Sequence, residues 1–222
     1  MTVSAEQALR AGLASLQLEL SDTQISRLLD YQLLIAKWNK VYNLTAVRDP
    51  AEMLTHHLLD SLAAVAPLAS YLKSRGLEHA AQLLDVGSGA GLPGIVFAIC
   101  CPHLRVTCVD AVGKKAAFIT QSSLALDLPN LTGLHARVET IEKRFDVVSS
   151  RAFASLEDFT QLSSHALAPA GAWLAMKGKH PVDELAALAP EIEVFHVEQL
   201  VVPGLAAERC LLWMRVRSQY LS

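Results

Sequence analysis

Hydrophobic side chains recur every three to four residues through the first 80 residues, a spacing typical of amphipathic helices. One stripe predicts a helix that ends near Asn43, and a second stripe predicts a helix after Pro50. The stripes comprise Ile25, Leu28, Leu29, Leu33, Ile35 and Trp38, then Leu54, Leu58, Leu59, Leu62 and Val65. We therefore expect about three helices and no strand in this part of the chain.

Helix start signals support this prediction. Ser4 and Ser21 are each followed three residues later by a glutamine, which is the spacing of a capping box. Asp49 precedes Pro50, and an N-cap acid followed by proline at the first helical position is a further start signal.

Beyond residue 80, short apolar runs alternate with helical stretches. Strands are predicted at 81–86, 104–109, 131–135, 145–150, 171–177, 192–202 and 208–217, and helices at 92–101, 113–127, 155–168 and 181–189. Such alternation predicts an α/β fold with a doubly wound, mostly parallel, seven-stranded sheet. A turn at Pro203-Gly204 separates the last two strands, so one of them is expected to run antiparallel. The predicted organisation is an N-terminal helical extension at residues 1–80 and an α/β domain at 81–222.

Composition limits the class of protein further. Of the 222 residues, 52% are hydrophobic, which excludes a disordered chain. No apolar run reaches the roughly 18 residues of a membrane helix, and no secretory signal is apparent. The four cysteines lie in apolar segments without a C-x-x-C spacing, so we expect reduced thiols, no metal site and a cytoplasmic location.

The charge balance points to no particular partner. The net charge is −3 and no run of like charge occurs, whereas a non-specific nucleic-acid binder is normally basic. Short lysine clusters, such as Lys37 with Lys40 and Lys114 with Lys115, are expected to be solvated surface. The sequence does not determine the oligomeric state; we favour a monomer.

The segment Asp85-Val86-Gly87-Ser88-Gly89-Ala90-Gly91 carries the strongest functional signal. It joins a predicted strand to a predicted helix. Glycines let a ligand approach the backbone, and the helix directs its free N–H groups at that ligand. The segment therefore predicts a site for a nucleotide-like ligand, with an ordinary tight strand-to-helix turn as the alternative.

Two glycine patterns fit this segment. The dinucleotide pattern G-x-G-x-x-G fits only when it begins at Gly89, which encloses Pro93 and lies two residues late relative to the strand. An acid followed by x-G-x-G-x-G fits from Asp85 without adjustment. That second pattern is typical of the first motif of Rossmann-like S-adenosylmethionine-dependent methyltransferases.

Asp110 ends the next predicted strand and is a second candidate for ligand binding. A carboxylate at this position can accept hydrogen bonds from both hydroxyls of a ribose, which supports an adenosine ligand without distinguishing a dinucleotide from S-adenosylmethionine. The alternative interpretation is a helix-capping or turn acid ahead of Lys114. Ligands of such sheets lie beyond the carboxyl ends of the strands, where both Asp110 and the glycine segment are expected.

Five segments together resemble the RsmG family, also called GidB. The segments are Tyr42-Asn43-Leu44-Thr45-Ala46-Val47-Arg48-Asp49-Pro50, His57-Leu58-Leu59-Asp60-Ser61, Asp85 to Ile95, Ser150-Arg151-Ala152-Phe153-Ala154 and Lys177-Gly178. Members of this family are bacterial methyltransferases that modify N7 of one guanine in 16S ribosomal RNA. The resemblance spans nearly the whole chain. It implies S-adenosyl-L-methionine as cofactor, a class I methyltransferase fold, and 16S rRNA or the small ribosomal subunit as partner.

The resemblance also implies cofactor contacts. Gly87 and Leu92 match family contacts at the first loop, Val138 and Glu139 match an adenine-side contact, and Arg151 matches a contact near the methionine end. Gly89 and Asp110 join them from the pattern of the chain itself.

Three side chains are candidates for positioning the substrate. Arg151 could clamp the cofactor carboxylate, meet an RNA phosphate or form a structural ion pair. Lys177 could meet phosphate or guanine O6, or be a solvated strand-end lysine. His57 is raised as a site-lining residue by the family resemblance alone. One departure is Cys210, where family members often carry histidine.

Guanine N7 has a lone pair and no proton, so its methylation requires no general base. After the fourth strand the chain has Ser150-Arg151-Ala152-Phe153 instead of the Asn/Asp-Pro-Pro-aromatic motif of enzymes that methylate exocyclic amines. Three other hypotheses stay open at this point: a nicotinamide-dependent oxidoreductase, a small-molecule methyltransferase of the same fold, and a non-catalytic RNA-binding module.

Overall fold

Seven strands form the sheet that the alternating pattern predicts. The structure, a computed structural model, describes residues 4–151 and 153–220. Ala152 of the segment 150–154, residues 1–3 of the predicted extension and residues 221–222 of the predicted α/β domain lie outside the described residues. The strands are β1 Gln82–Val86, β2 Arg105–Asp110, β3 Leu131–His135, β4 Phe145–Arg151, β5 Leu167–Lys177, β6 Ile192–Gln199 and β7 Cys210–Val216. Their order across the sheet is β3-β2-β1-β4-β5-β7-β6. β7 runs antiparallel to both β5 and β6, and the other neighbouring pairs are parallel, which confirms the predicted α/β class.

Helices precede the sheet and connect its strands. They are α1 Ala5–Ser15, α2 Asp22–Tyr42, α3 Pro50–Met53, α4 Asp60–Leu62, α5 Val65–Ser74, α6 Gly94–Cys100, α7 Gly113–Ala125, α8 Leu156–Ser163 and α9 Val182–Ala186. Within the described residues, every regular element before β1 is helical, as the spacing of apolar residues predicts.

The predicted N-cap residues begin three of these helices. The side chains of Ser4 and Ser21 each accept the backbone N–H of the residue three positions later. In return, the side-chain oxygens of Gln7 and Gln24 accept the backbone N–H groups of Ser4 and Ser21. Asn43 ends α2 in the left-handed conformation at φ 49°. The Asp49 carboxylate accepts the first free N–H groups of α3, so the start signal at Pro50 is also confirmed.

The helix that begins at Pro50 widens into a π-helical turn at Leu54–Leu59 before α4 resumes the ordinary winding. Such turns are rare and occur frequently at functional sites. His57 lies within this turn and Asp60 follows directly after it, and both side chains are buried.

Several predicted boundaries differ from the observed ones. The helix after the glycine segment begins at Gly94 rather than at 92, α8 ends at Ser163 rather than at 168, and β6, β7 and the last helix are shorter than predicted. β5 begins at Leu167 rather than at 171. Leu167 pairs with Phe145, but pairing resumes only at Ala172, so residues 168–171 bulge from the sheet. Pro169 and Gly171 suggest a turn there because proline and glycine usually end a strand.

The hydrophobic core lies on both faces of the sheet. On one face, Leu28 and Ile35 of α2 share a single buried cluster with Phe97 of α6 and Trp213 of β7. Leu84, Phe159 and Trp173 belong to the cluster on the other face. The N-terminal helices therefore complete the core of the sheet, and the division at residue 80 stays a prediction. Among the helices of residues 4–151 and 153–220, none combines the length and apolar composition needed to cross a bilayer.

Candidate active site

The glycine segment makes a tight bend between β1 and α6 at the carboxyl edge of the sheet. Gly87, Gly89 and Gly91 all have positive φ, at 63°, 60° and 85°. A Cβ added to Gly89 would meet nothing closer than the Gly87 carbonyl at 3.9 Å, so this backbone faces open space. A ligand can therefore approach the chain closely at Gly89.

Asp85 lies at the end of β1, where the bend begins, and is fully buried. Its carboxylate accepts the Ser149 hydroxyl at 2.9 Å and the Gly94 N–H at 3.2 Å, which connects β1 to β4 and to the start of α6. Burial raises the pKa of Asp85 to about 6, although these hydrogen bonds oppose the shift. The acid of the motif thus holds the bend in shape rather than reaching a ligand.

Asp110 stabilises the same bend from β2. One carboxylate oxygen accepts the Gly89 N–H at 2.9 Å, and the other accepts the Val112 N–H at 2.8 Å. These bonds agree with the interpretation of Asp110 as a turn acid. Its predicted role at a ribose stays a prediction.

A cleft of about 480 Å³ opens beside the bend, within the size range of small-molecule sites. The glycine bend, the π-helical turn, the loop after α2 and the ends of β4 and β5 form its walls. Six of the predicted site residues line it, namely Gly87, Gly89, Leu92, His57, Arg151 and Lys177. Asp110, Val138 and Glu139 are not among the lining residues.

The predicted adenine-side pair does not line this cleft. Val138 is buried in the core cluster on the other face of the sheet, within a short 3₁₀ turn, and Glu139 is exposed to solvent. Their contact with the cofactor therefore remains a prediction from the family resemblance.

An ionic cluster forms the wall opposite the glycine bend. The Asp60 side chain is only 4% exposed, and its two oxygens accept Arg209 Nε at 2.7 Å and an Arg151 guanidinium nitrogen at 2.8 Å. Arg151 also donates to the His56 carbonyl at 2.8 Å. A guanidinium has five N–H donors, so these contacts leave further donors for a ligand.

Asp60 and Arg209 were not predicted as site residues. Arg209 immediately precedes Cys210, and Cys210 pairs with Lys177 at the carboxyl end of β5. Because β7 runs antiparallel to β5, it begins at the carboxyl edge of the sheet, where β5 ends. The turn at Pro203-Gly204 therefore contained the signal that places Arg209 beside the cleft.

The other two positioning candidates have partners within the protein. The His57 ring nitrogen Nε2 lies 2.8 Å from the Thr45 hydroxyl, and burial, followed by the nearby Arg151 charge, lowers the pKa of His57 to about 4. His57 is therefore a neutral group near pH 7.

Lys177 donates to Glu184 at 2.7 Å and to the Ala154 carbonyl at 3.1 Å, so it is not a solvated lysine.

The N-terminal helices support the cleft directly. The Tyr31 hydroxyl of α2 is buried and donates to the Ala90 carbonyl within the glycine bend at 2.6 Å. The Asn39 side chain accepts the Thr45 N–H at 2.9 Å and donates to the Val47 carbonyl at 3.1 Å. These bonds shape the loop whose Thr45 and Val47 line the cleft.

Among the residues that the structure describes, no group of three or more His, Cys, Asp or Glu side chains is arranged to hold a metal ion. Cys210, at the position where family members often carry histidine, is buried, and its thiol lies 3.4 Å from the Lys179 carbonyl.

Solved structures share this fold at low sequence identity. Magnesium protoporphyrin IX methyltransferase (ChlM) from Synechocystis PCC 6803, solved with bound SAM, matches with a TM-score of 0.56 and 16% identity over 89% of this chain and 98% of its own. A SAM-dependent methyltransferase from Aquifex aeolicus matches with a TM-score of 0.53 and 18% identity over 76% and 99%. These matches confirm the class I methyltransferase fold.

Closer relatives match over almost the whole chain. The ribosomal RNA small subunit methyltransferase G of Polaromonas sp. (strain JS666) is 71% identical over 96% of this chain and 94% of its own length. The protein of the same name from Acidovorax sp. (strain JS42) is 66% identical over 96% of each chain. The model of the family described as "GidB: rRNA small subunit methyltransferase G" matches residues 24–212. This chain belongs to that family of S-adenosylmethionine-dependent rRNA methyltransferases.

Proposed function

We propose that this chain transfers the methyl group of S-adenosylmethionine to N7 of a guanine in 16S ribosomal RNA. The names of its relatives support the small-subunit rRNA as substrate. The observation that carries the proposal is the cleft itself, which joins the glycine bend on one wall to the Arg151–Asp60–Arg209 cluster on the other.

The residues of the cleft fit the cofactor of the family. The open backbone at Gly89 allows a nucleoside to approach closely, and Gly87 and Leu92 line the same cleft, where Leu92 offers an apolar contact. Arg151 retains donors that suit a carboxylate. When bound, S-adenosylmethionine supplies a methyl group on a positively charged sulfur.

The titratable groups of the cleft favour a nucleophile that carries no proton. The Asp60 carboxylate is already held by two guanidinium groups, and a pKa of about 4 makes His57 a weak base. Neither group is suited to removing a proton from an exocyclic amine. Catalysis at N7 would depend on holding the base in line with the methyl group, which can supply several kcal/mol.

The ionic cluster also suits an RNA substrate. Arg151 and Arg209 carry two positive charges against the single negative charge of Asp60. The surplus positive charge at the carboxyl edge of the sheet would favour a phosphate of the strand that carries the target guanine. Lys177 contributes less, because Glu184 neutralises it.

Transfer of a tritiated methyl group tests this function. The enzyme is incubated with labelled S-adenosylmethionine and either naked 16S rRNA or small subunits from cells that lack the modification, and the labelled nucleotide is mapped. We expect label in one guanine, recovered as N7-methylguanine. Label on another atom or base, or no transfer to either RNA, would overturn the proposal.

Two glycine variants test the cofactor site separately. Gly89→Ala and Gly76→Ala both introduce a side chain at φ near +60°, and neither Cβ meets an atom within 3.8 Å. Each should lose about 1–2 kcal/mol of stability to backbone strain. Only Gly89→Ala should also weaken the binding of S-adenosylmethionine, by at least about tenfold, because its methyl group occupies the cleft. Calorimetry measures the affinities, and equal affinities in both variants would contradict this assignment.

A further inference from the structure

A group of exposed cations lies beside the cleft and is not used by the site described above. We call it the cationic face; it consists of Lys37 and Lys40 of α2, Arg48 of the following loop, Lys114 of α7, and the exposed Tyr42. Residues 31–48 and 111–126 contain no Asp or Glu. The whole chain has a net charge of −3, so this face is locally positive although the molecule as a whole is negative.

Packed aromatic rings bring the two helices of this face together. The Trp38 ring of α2 lies edge-on to the Phe118 ring of α7 at 5.4 Å, and the Tyr42 ring packs on Trp38 at 5.0 Å. Lys114 precedes Phe118 by four residues, so it lies on the same side of α7, one turn nearer the cleft. Lys37 and Lys40, three residues apart, share the exposed side of α2, and the Trp38–Phe118 contact places the helix that carries Lys114 next to α2.

This surface continues into the cleft. Thr45 and Val47, in the loop between Tyr42 and Arg48, line the cleft wall. The Arg48 guanidinium lies 3.4 Å from the side-chain oxygen of Asn43, which ends α2. On the α7 side, the face adjoins Asp110, whose carboxylate holds the Gly89 N–H. A chain lying on the cationic face would thus lead directly to the glycine bend.

The composition of the face fits single-stranded nucleic acid. Tyr42 is 40% exposed and its neighbour Val41 is 70% exposed, which leaves an aromatic ring and an apolar side chain among the cations. Proteins that hold single strands combine positive charge for the phosphates with aromatic rings on which bases stack. Arg48 and the lysines could supply the first element and Tyr42 the second.

We propose that the cationic face holds the single-stranded ribosomal RNA that flanks the target base, with the lysines on phosphates and Tyr42 stacked on a flanking base. This inference rests on the proposed function and identifies the surface that receives the substrate. It also explains how a chain of negative net charge can bind RNA, because the positive charge is concentrated beside the cleft.

A charge-matched pair of triple variants tests the proposal. The test variant is Lys37→Gln/Lys40→Gln/Lys114→Gln. The control is Lys73→Gln/Arg105→Gln/Arg144→Gln, which removes three exposed charges from α5 and from the amino edge of the sheet. Methyl transfer to unmodified small subunits is measured over a range of KCl concentrations, and the affinity for S-adenosylhomocysteine is measured by calorimetry.

We expect the test variant to raise the KM for the small subunit by about tenfold while its affinity for S-adenosylhomocysteine stays that of the wild type. The slope of log kcat/KM against log [KCl] should become shallower by about 2, since each lost phosphate contact on a single strand removes about 0.7. The control variant should retain the wild-type KM and slope.

Variants of Tyr42 test the stacking contact on their own. Tyr42→Ala should raise the KM several-fold, Tyr42→Trp should retain the wild-type KM, and Tyr42→Leu should not, because only an aromatic ring stacks on a base. Equal KM values for the leucine and tryptophan variants would exclude stacking.

Three outcomes would overturn the proposal. If the test and control triple variants behave alike, the face does not bind RNA. If the KM rises without a change in the salt slope, the face contacts a protein of the subunit. If the wild type transfers no methyl group to the subunit, the proposed function itself fails, which separates that failure from the first two.

Discussion

Asp85 and His57 are buried titratable groups whose pKa values are displaced in opposite directions. Burial raises the pKa of Asp85 from 3.8 to about 6 and lowers that of His57 from 6.5 to about 4. Between those values, the folded protein holds a proton on Asp85 that the unfolded chain releases, so stability falls as pH rises. His57 binds its proton only in the unfolded chain over that range, so its contribution to stability rises with pH.

Because the two effects oppose each other between pH 4 and 6, removing either group should reveal the other. Relative to wild type, the unfolding free energy of His57→Asn should fall as pH rises from 4 to 6, and that of Asp85→Asn should rise. Each change should approach about 3 kcal/mol, since one pKa unit corresponds to about 1.4 kcal/mol. Urea denaturation at several pH values measures both, and slopes that match the wild type would contradict the assigned burial effects.

Residue types at sequence motifs predicted positions in the site better than they predicted roles. The sequence, through its glycine pattern and its family resemblance, pointed to Gly87, Gly89 and Arg151, all of which line the cleft. It did not indicate that the carboxylates of Asp85 and Asp110 hold the bend itself, because those bonds depend on Ser149 and on backbone groups distant in sequence. Long-range partners of this kind carry no local signal in a single sequence.

At the scale of elements, Gln24 joins the beginning of α2 to the end of α6. It completes the capping box with Ser21, and its amide nitrogen also donates to the carbonyls of Ile99 and Cys100 at 2.9 and 3.2 Å. Those carbonyls belong to the last turn of α6, which has no helical partner for them. Gln7 occupies the equivalent position of α1 and makes the capping contact.

Alanine substitutions at these two glutamines should therefore differ in effect. Gln7→Ala should cost up to about 1 kcal/mol of stability, as for the loss of a cap. Gln24→Ala should cost about 1–3 kcal/mol more, because it also leaves partly buried carbonyls without a donor. Urea midpoints measure the difference, and equal losses would show that the bonds to α6 contribute nothing.

The elements themselves were largely predictable because their signals are local. Capping residues marked the helix starts, alternation of strands and helices predicted a mostly parallel sheet, and the turn at Pro203-Gly204 predicted that one of the last two strands runs antiparallel. The π-helical turn at Leu54–Leu59 and the bulge at 168–171 were not predicted. Both depend on packing against distant parts of the chain, which overrides local preference.

At the scale of the whole molecule, the N-terminal helices and one face of the sheet share a single core cluster. Trp38 lies in the N-terminal helices, whereas Trp173 and Trp213 lie in the sheet, so the chain contains a natural probe for each part. A shared core is expected to unfold as one cooperative unit.

Single-tryptophan variants check this expectation. Trp173→Phe/Trp213→Phe retains Trp38, and Trp38→Phe/Trp173→Phe retains Trp213. In each variant, the urea transition followed by fluorescence should coincide with the one followed by far-UV circular dichroism. A Trp38 transition at lower urea than the circular dichroism change would instead reveal an independently unfolding extension, in line with the predicted division at residue 80.

The hydrogen bond from Tyr31 to the Ala90 carbonyl has a consequence for engineering. A phenolic group from the leading helices anchors the backbone that is expected to cradle the methyl donor, so those helices are no interchangeable specificity module. Chimeras that exchange residues 1–80 for the leader of another methyltransferase should bind the donor poorly unless they preserve a tyrosine at this position.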